Sequence, residues 1–574
     1  MKILVRIGPE ALTRGNDSPI IVHGNKDSLR QVPTTAMTGM DRRERGSLLA
    51  ALQERAFDII VIGGGITGAG ILREATLRGL RVALLEANDF GAGTSSKSTK
   101  LIHGGIRYLQ EMQFHVVREA AIERKRVNRL APHLAQPHWL TLPAKTAWHF
   151  AKYRLGVSIY EVLGQVRKPD LHFNLQDGEV TEWEPRLTGA DAAVVYREYL
   201  TDDARLVVAN VRAGVDAGGL AANYCGVTGL RRENQKIAGV EAKCGLTGDE
   251  IFVRGAAVIN AAGPWVEQIC SMDQTAAGAR LVLSKGVHVS VPHEALPIRH
   301  MALMEHTDGR PVFAIPKQDV TYIGTTDTRY DKPDLWPEVL GSEIDYLFEP
   351  VRDYFGTTLT RDDCVSTWAG LRPLVAQGNR KTTQISRRDE TWVSPSGLVT
   401  IAGGKLTGYR KMAEDTVDRT IELFSLKAAS AVTDEPLPGG DIAGTLDSLA
   451  ADLGKRHNLD TATLERLVSL YGSETAEVIA LGEDPVGGDA RVLRGELRWA
   501  VAKEGICRLE DFVYRRSRNI VFSPNGTPEV LKAIADELST LMDWSEEEKQ
   551  DEIDRVMSRW ADDLSGTESN EAAA

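Results

Sequence analysis

The sequence predicts an α/β fold in three parts: a Rossmann-like dinucleotide-binding domain, a second domain rich in β-strands, and an all-α domain at the C-terminal end. Three observations predict it. An apolar strand at 58–62 leads directly into the glycine motif GGGITG at 63–68, which opens a helix. Strand patterns dominate 281–388, and only helical patterns follow the Pro/Gly-rich linker at 433–440.

The first glycine turn is typical of a phosphate-binding site. Gly63 permits the tight turn, Gly65 lets a pyrophosphate approach the backbone, and Gly68 lets helix and strand pack closely. Gly64 lies in the same turn and is predicted to contact the cofactor with them. The helix over 66–78 then presents free N–H groups and the positive end of its dipole to the phosphates.

The next strand and loop extend this site. An apolar run at 81–85 ends on Glu86, whose carboxylate is expected to accept hydrogen bonds from the ribose of an adenosine. The loop that follows, 89–108, is dense in hydroxyls and glycines, as a backbone beside a large ligand requires. Its predicted cofactor contacts are Thr94, Ser95 and Ser96.

A second glycine-rich turn points to the other end of the same ligand. The pattern of strand, glycines and helix recurs at 398–412, and a strand at 256–260 also ends in a turn of small residues. Because no second GxGxxG unit is present, one elongated dinucleotide held at both ends explains the pattern better than an NAD-linked dehydrogenase does. The predicted contacts in these two turns are Gly263, Gly403, Gly404 and Thr407.

Composition excludes several classes of function. A formal net charge of −12 over 574 residues argues against nucleic acid as a partner. The five cysteines show no CxxC spacing, which fits reduced thiols in a cytosolic protein and predicts neither a disulfide framework nor a metal site. No apolar run approaches the ~20 residues needed to span a bilayer.

Two segments carry weaker signals. Residues 1–39 lack sustained periodicity and are predicted to be a disordered N-terminal extension. The segment 143–168 interleaves aromatic and basic residues, so it is either a helix packed on its own domain or one that lies in a membrane interface. A long helix is predicted over 109–130.

Six blocks in the right order resemble the FAD-dependent glycerol-3-phosphate dehydrogenase family, within the glucose-oxidase/D-amino-acid-oxidase-like flavoproteins. The block at 94–109, TSSKSTKLIHGGIRYL, is the most diagnostic. The other five blocks lie at 62–70, 260–265, 324–327, 370–373 and 403–407, with the linker 437–440 and residues 514–516 also matching. Residues 1–39 have no counterpart, Gly408 stands where the family commonly has Thr, and 145–168 matches only in character.

The resemblance implies a division of the chain. The FAD-binding domain would combine 56–115, 200–270 and 365–430, and the β-sheet substrate (cap) domain would combine 116–199 and 271–364. The C-terminal helical domain would span 441–564.

The resemblance also implies the reaction. sn-Glycerol 3-phosphate would be oxidised at C2 to dihydroxyacetone phosphate by hydride transfer to FAD, and the electrons would pass to a quinone. The implied location is cytoplasmic, and the sequence leaves open a peripheral contact with the inner face of the cell membrane and a homodimer.

Residue chemistry suits this reaction independently. A phosphate dianion in a partly buried pocket needs forked, permanently charged donors, and Arg107, Arg372 and Arg387 stand in apolar or glycine-rich contexts. The alternative for each arginine is a salt bridge between segments. Tyr108, next to Arg107, is expected to hold a substrate oxygen.

The C2 alcohol must lose a proton as its hydride leaves, so a base is required. His103 is the best-placed histidine by sequence and His288 is second, with a purely structural histidine as the alternative. Lys405 and the N–H groups beside it are expected to stabilise negative charge on the reduced flavin.

Three rival functions remain open on the sequence alone. A glycerol-3-phosphate oxidase would pass the electrons to O₂ and is barely distinguished by the motifs. An amine or amino-acid oxidase on the same fold explains neither the arginines nor the helical domain. A non-catalytic FAD-binding or scaffold protein would keep the cofactor without reacting with glycerol 3-phosphate.

Overall fold

Two β-sheets and a group of C-terminal helices make up the part of the chain that the computed structural model describes. The described residues are 40–105, 114–273, 281–375, 389–432, 434–487, 492–523 and 527–567. The predicted extension 1–39 and three predicted site residues, Arg107, Tyr108 and Arg387, lie outside them.

The strands, in chain order, are β1 (Ala56–Ile62), β2 (Val82–Leu85), β3 (Leu101–Ile102), β4 (Ala135–Ala144), β5 (Phe173–Gln176), β6 (Ala192–Thr201), β7 (Leu220–Ala222), β8 (Cys225–Glu233), β9 (Lys236–Cys244), β10 (Glu250–Asn260), β11 (Leu281–Pro292), β12 (Met301–Glu305), β13 (Pro311–Lys317), β14 (Val320–Gly324), β15 (Thr328–Tyr330), β16 (Ser366–Val375), β17 (Glu390–Val393) and β18 (Leu398–Ala402).

The α-helices of the described residues are α1 (Arg45–Glu54), α2 (Ile66–Leu77), α3 (Phe114–Leu130), α4 (Ala147–Leu163), α5 (Gly178–Trp183), α6 (Asp203–Asp216), α7 (Val266–Met272), α8 (Gly341–Phe355), α9 (Tyr409–Phe424), α10 (Leu446–Gly454), α11 (Thr461–Tyr471), α12 (Thr475–Ala480), α13 (Arg494–Lys503), α14 (Asn519–Phe522), α15 (Pro528–Met542) and α16 (Glu546–Leu564).

The first sheet has a parallel centre. Its strand order is β17-β18-β10-β1-β2-β7. The five strands from β18 to β7 run parallel to one another, and β17 pairs antiparallel with β18. The hairpin β8–β9 joins β10 in antiparallel pairing. Because parallel strands end at the same edge, the turns that follow β1, β10 and β18 converge there.

Helices cover this sheet closely. The helix α2 connects β1 to β2 and packs against α6 and α9. Gly214 of α6 has no room for a side chain, since a Cβ there would lie 2.6 Å from Leu72. Small residues at the contact thus let the two helix backbones approach, and the apolar faces bury a common core with the sheet.

The second sheet is larger and mostly antiparallel. Its order is β15-β11-β14-β13-β12-β4-β6-β3, with β16 on β11 and β5 on β6. The helix α8 packs on one face of it. The C-terminal helices α13, α15 and α16 share the other apolar cluster with β4, β6, β14 and α4.

The structure differs from the sequence-based expectation in several elements. The strand predicted at 256–260 is the second half of a longer strand, β10, because Gly255 keeps the extended conformation and pairs with Phe57 of β1. The helix α8 interrupts the strand-rich region. The helix predicted over 109–130 is described from Phe114 onward, as α3.

Two strands from segments predicted for the FAD-binding domain belong to the second sheet. β16 lies inside the segment predicted for the FAD-binding domain, yet it pairs with β11 over ten residues, from Ser366 to Val375. β3 likewise pairs with β6 of the second sheet. Pairing with strands so distant in sequence depends on tertiary packing, which local sequence patterns do not reveal. The domain division is otherwise kept as a prediction.

Candidate active site

The first glycine turn, between β1 and α2, has no room for side chains at two positions. Gly63 has φ +107°, and a Cβ there would lie 2.6 Å from the carbonyl oxygen of Ala261. A Cβ at Gly68 would lie 1.9 Å from the carbonyl oxygen of Gly63. The turn therefore seats the start of α2 directly against the ends of two parallel strands.

The start of α2 faces a large cavity. Gly65 is the N-cap and provides no side chain, so the first-turn N–H groups lack intrahelical partners. The Ser95 hydroxyl accepts a hydrogen bond from the Ile66 N–H at 2.9 Å. Gly65, Ile66 and Thr67 all line the cavity. This arrangement of backbone donors and helix dipole suits a phosphate group.

Glu86, at the end of β2, is tied to the same turn. Its carboxylate accepts hydrogen bonds from the Gly64 N–H at 2.6 Å and from the Asn88 N–H at 2.8 Å. Burial raises the pKa of Glu86, and the backbone donors oppose that effect. Each carboxylate oxygen can accept more than one hydrogen bond, so this side chain can still accept from a ribose.

The hydroxyl loop after β2 divides into two faces. Thr94 and Ser95 line the cavity, and the Thr94 hydroxyl donates to the Leu371 carbonyl at 2.5 Å. Ser96 is placed elsewhere than predicted: it is buried outside the cavity, and its carbonyl accepts from Lys100 at 2.9 Å. The short 3-10 turn Thr94–Ser96 causes this, because consecutive residues in it point in different directions.

The second glycine turn lies at the end of β18. Gly403, Gly404, Lys405 and Thr407 line the cavity, and a 3-10 turn at Leu406–Gly408 precedes α9. The Thr407 hydroxyl donates to the carbonyl of His103 at 3.0 Å. The two turns, far apart in sequence, therefore meet around one cavity.

The cavity has a volume of about 1370 Å³. Most predicted site residues that the structure describes line it: Gly63, Gly65, Glu86, Thr94, Ser95, His103, Gly263, Arg372, Gly403, Gly404, Lys405 and Thr407. Gly64 and Gly68 shape its glycine turn without lining it, and Ser96 does neither.

Arg372 enters the cavity from β16. Its guanidinium donates to the Thr325 hydroxyl at 3.0 Å and to the Ser284 hydroxyl at 3.3 Å, and lies 3.9 Å from an Asp327 carboxylate oxygen. Gly286 makes room for it, because a Cβ there would lie 2.2 Å from Nη2. The side chain is 23% exposed, so the guanidinium is oriented by neutral groups while it still faces the cavity.

Two histidines line the cavity. His103 follows β3 and is half-buried. His288 of β11 is buried, stacks on Trp368 with centroids 5.0 Å apart, and places Nε2 2.9 Å from the Thr99 hydroxyl. Burial, together with the charges of Lys100 and Arg372, holds the pKa of His288 well below its ordinary value. That ring is therefore neutral at physiological pH.

The sequence analysis did not identify Lys97 as a site residue. It is a buried lysine that lines the cavity, and it belongs to the loop after β2 that begins at Asp89, here called the cofactor loop. Its ammonium donates to the Ala92 carbonyl at 3.0 Å and lies 3.6 Å from the ring centre of Trp336. Burial and then the charge of Arg515 lower the pKa of Lys97 to about 7. The spacing Ser-Ser-Lys was the available signal, but a lysine in a polar loop is usually a solvated one.

A different lobe of the cavity is lined by α4 and the β12–β13 hairpin. Its wall includes Trp148, Leu155 and Ile159 of α4 and Phe313 of β13. The Tyr153 hydroxyl donates to Glu305 at 2.9 Å and so ties the helix to the hairpin. Lys152, Glu305 and Arg310 line the cavity beside these apolar side chains.

The C-terminal helical domain reaches the cofactor loop through buried ion pairs. Asp89 accepts from Arg515 at 2.6 Å and from Arg516 at 2.7 Å. The two arginines belong to a π-helical segment, Asp511–Arg516, in which every residue is buried. The loop that lines the cavity is therefore anchored on that domain.

These features fit a flavin dinucleotide. Side-chain-free turns, two sets of backbone N–H groups and a carboxylate after β2 surround one cavity large enough for it. The family model of FAD-dependent oxidoreductases matches residues 58–410, and the chain is such an oxidoreductase. A second model, the C-terminal domain of alpha-glycerophosphate oxidase, matches residues 430–549.

Similar proteins identify the family of FAD-dependent oxidoreductases to which the chain belongs. The aerobic glycerol-3-phosphate dehydrogenase of Staphylococcus haemolyticus (strain JCSC1435) is 36% identical over 87% of this chain and 93% of its own length. The enzyme of the same name from Staphylococcus aureus (strain USA300) is 36% identical over 86% of this chain and 92% of its own. The chain belongs to the FAD-dependent glycerol-3-phosphate dehydrogenase family.

A solved structure supports the fold assignment over nearly the whole chain. The glycerol-3-phosphate dehydrogenase from Bacillus halodurans, crystallised with FAD, superposes with a TM-score of 0.78 at 33% identity. The match covers 93% of this chain and 100% of that one. The predicted fold class is confirmed: a Rossmann-like FAD-binding domain, a β-sheet domain and a C-terminal helical domain.

Proposed function

We propose that this chain oxidises sn-glycerol 3-phosphate at C2 to dihydroxyacetone phosphate with FAD as hydride acceptor and a quinone as the final electron acceptor. Arg372 carries the proposal, because a forked cation faces the cavity that both glycine turns enclose. The phosphate of the substrate is a suitable ligand for it.

FAD would accept the hydride, and residues of this chain would form the FAD-binding site. The N–H groups at the start of α2 are suited to the pyrophosphate, with Glu86 at the ribose. Gly403, Gly404, Thr407 and Lys405 form the opposite wall of the cavity, where the cation and backbone donors would stabilise added negative charge.

Three arginines are assigned to the substrate site. Arg372 would bind the phosphate, and we assign Arg107 and Arg387 to the same anion and Tyr108 to a substrate oxygen. An amine or amino-acid oxidase would need an arginine only for a substrate carboxylate, beside an apolar pocket, and would leave the cluster of arginines unexplained. The match of residues 430–549 to a glycerophosphate oxidase domain favours the phosphate.

His103 is proposed as the base that takes the C2 hydroxyl proton. It lines the cavity, and its carbonyl is fixed by Thr407 of the second glycine turn. His288 is the second candidate: it is neutral and can accept a proton, but its Nε2 already contacts Thr99. A positioned base typically contributes ~10²–10⁴ in rate.

The quinone assignment rests on α4. Trp148, Leu155 and Val162 are 74%, 63% and 78% exposed and stand seven residues apart, on one stripe of the helix. Basic residues flank the stripe, including Lys145, Lys152, Arg154 and Lys168. A helix of this kind lies in a membrane interface, so we propose peripheral contact with the inner face of the cell membrane, where a quinone reaches the lobe of the cavity that α4 lines.

No helix of the described residues is long and apolar enough to cross a bilayer. An interfacial helix needs no such length. The proposal of peripheral contact therefore stands on the exposed stripe of α4 alone.

Anaerobic bleaching of the flavin absorbance tests the substrate. Glycerol 3-phosphate is expected to bleach it, and glycerol and glycine at the same concentration are not. Bleaching by glycine, or none by glycerol 3-phosphate, would contradict the proposal and favour an amino-acid oxidase or a non-catalytic protein.

The acceptor is tested separately. With glycerol 3-phosphate present, a soluble quinone analogue is expected to reoxidise the flavin much faster than air-saturated buffer does. Stoichiometric hydrogen peroxide with little quinone reduction would instead identify a glycerol-3-phosphate oxidase.

A further inference from the structure

A buried triad of side chains lies at the cavity wall, outside both glycine turns. The Glu198 carboxylate of β6 accepts from the Tyr160 hydroxyl at 2.9 Å and from the Arg124 guanidinium at 2.9 Å. Arg124 also donates to the Tyr160 oxygen at 2.5 Å. The three residues come from α3, α4 and β6, and each is 2% exposed or less. Glu198 belongs to the wall itself.

The triad touches the segment that carries His103. The Gly104 backbone opposes the rise that burial causes in the pKa of Tyr160 and of Glu198, as a neighbouring backbone donor does. The contact is close, since a Cβ at Gly104 would lie 2.2 Å from the Tyr160 oxygen. On the other side, Thr407 holds the His103 carbonyl. His103 is thus fixed between the second glycine turn and the triad.

We propose that Tyr160 and Glu198 are positioning residues that set the place of His103 for proton removal from the substrate. The inference rests on the proposed function, because it gives His103 that task. Three buried polar groups are costly to desolvate and add little to stability when apolar residues of similar volume can replace them. Rates depend far more steeply on placement, since a shift of about 1 Å can cost about 10²-fold.

The C-terminal domain holds a matched control. Tyr471 donates to Glu496 at 3.2 Å, and Arg466 donates to the same carboxylate at 2.9 Å. Tyr471 and Glu496 are buried, and the Arg466 side chain is 9% exposed. None of them lines the cavity. Tyr471→Phe therefore removes the same kind of buried hydroxyl without touching the His103 segment.

The experiment compares anaerobic flavin reduction in Tyr160→Phe, Tyr471→Phe and the wild-type holoenzyme, rapidly mixed with glycerol 3-phosphate. For Tyr160→Phe we expect the limiting reduction rate to fall about tenfold to hundredfold, with substrate affinity within about threefold of wild type and FAD content unchanged. For Tyr471→Phe we expect the wild-type rate. Glu198→Gln should repeat the rate loss.

Three results would overturn the inference: a wild-type reduction rate in Tyr160→Phe, an equal loss in Tyr471→Phe, or loss of FAD from Tyr160→Phe in place of a slower rate. The last result would make the hydroxyl a support of the fold. Failure of the proposed function looks different, because the wild-type flavin itself would then not be reduced by glycerol 3-phosphate.

Discussion

At the scale of single residues, different side chains are assigned to substrate binding and to proton removal: Arg372 to the first and His103 to the second. Arg372 is held by neutral hydroxyl and carbonyl oxygens, and its nearest described carboxylate, Asp327, is 3.9 Å away. The guanidinium also faces the cavity, where a dianionic ligand would accept hydrogen bonds from it.

Replacement of Arg372 by alanine tests this role. Loss of a guanidinium–phosphate contact is expected to weaken substrate binding by about 2–5 kcal/mol, or about 30-fold to 4,000-fold in the concentration needed for half-bleaching. The protein should stay yellow, because the glycine turns are untouched. The measurement is an anaerobic titration of the flavin absorbance with glycerol 3-phosphate.

Arg361→Ala is the control for that titration. Arg361 pairs with Asp345 at 2.9 Å and does not line the cavity. It should bind substrate as the wild type does. Equal weakening in both variants, or loss of flavin from Arg372→Ala, would remove Arg372 from the substrate site.

At the scale of elements, sequence patterns predicted the two strand–glycine–helix units well, because each is a local arrangement in which glycine spacing and apolar periodicity agree. They could not predict that β16 joins the second sheet, since ten antiparallel pairs with β11 are set by tertiary packing. Ser96 does not line the cavity for a more local reason. A single 3-10 turn decides which hydroxyls of a polar run face the ligand.

The exposed stripe of α4 is predicted to bind anionic lipid. The double variant Leu155→Glu/Val162→Glu places two carboxylates where we expect anionic lipid, so the fraction of protein that co-sediments with phosphatidylglycerol-containing vesicles should fall several-fold. Flavin bleaching by glycerol 3-phosphate reports whether the site is intact. Co-sedimentation equal to that of the wild type would exclude α4 as the contact.

Leu423→Glu, in a different helix, is the control for the double variant in α4. Leu423 is also an exposed leucine, 42% accessible, near the end of α9. It is expected to leave vesicle binding unchanged. An equal loss in this variant would show that added negative charge alone lowers the affinity for anionic lipid.

At the scale of the whole molecule, the C-terminal domain supports the cofactor loop by buried charge. Burial alone would raise the pKa of Asp89, but Arg516 and Arg515 lower it below its ordinary value. A carboxylate with a lowered folded pKa contributes its stability above the unfolded pKa of about 3.9, and that contribution is lost as pH falls through the folded pKa. At neutral pH the contribution is complete.

Asp89→Asn is therefore expected to destabilise the protein strongly at neutral pH. Removing one partner of a buried ion pair costs about 3–5 kcal/mol, because the arginines stay buried without it. The thermal midpoint should fall, and FAD should be released at a lower temperature than from the wild type. The difference between variant and wild type should shrink as the pH is lowered below about 4.

Asp434→Ala is the control for this substitution. Asp434 pairs with Arg129 at the surface, where both side chains are about two-thirds exposed, and exposed pairs contribute little. Its thermal midpoint should match the wild type. A wild-type midpoint in Asp89→Asn would show that the C-terminal domain does not hold the cofactor loop.

Two distant glycine turns are proposed to hold one flavin with its ring directed at Arg372. An experimental structure of the protein with FAD and glycerol 3-phosphate tests it most directly. We predict the pyrophosphate at the start of α2, the flavin ring beside Gly403–Thr407, and the substrate phosphate on Arg372. A phosphate bound away from Arg372, or a flavin that contacts only one of the two turns, would contradict the account.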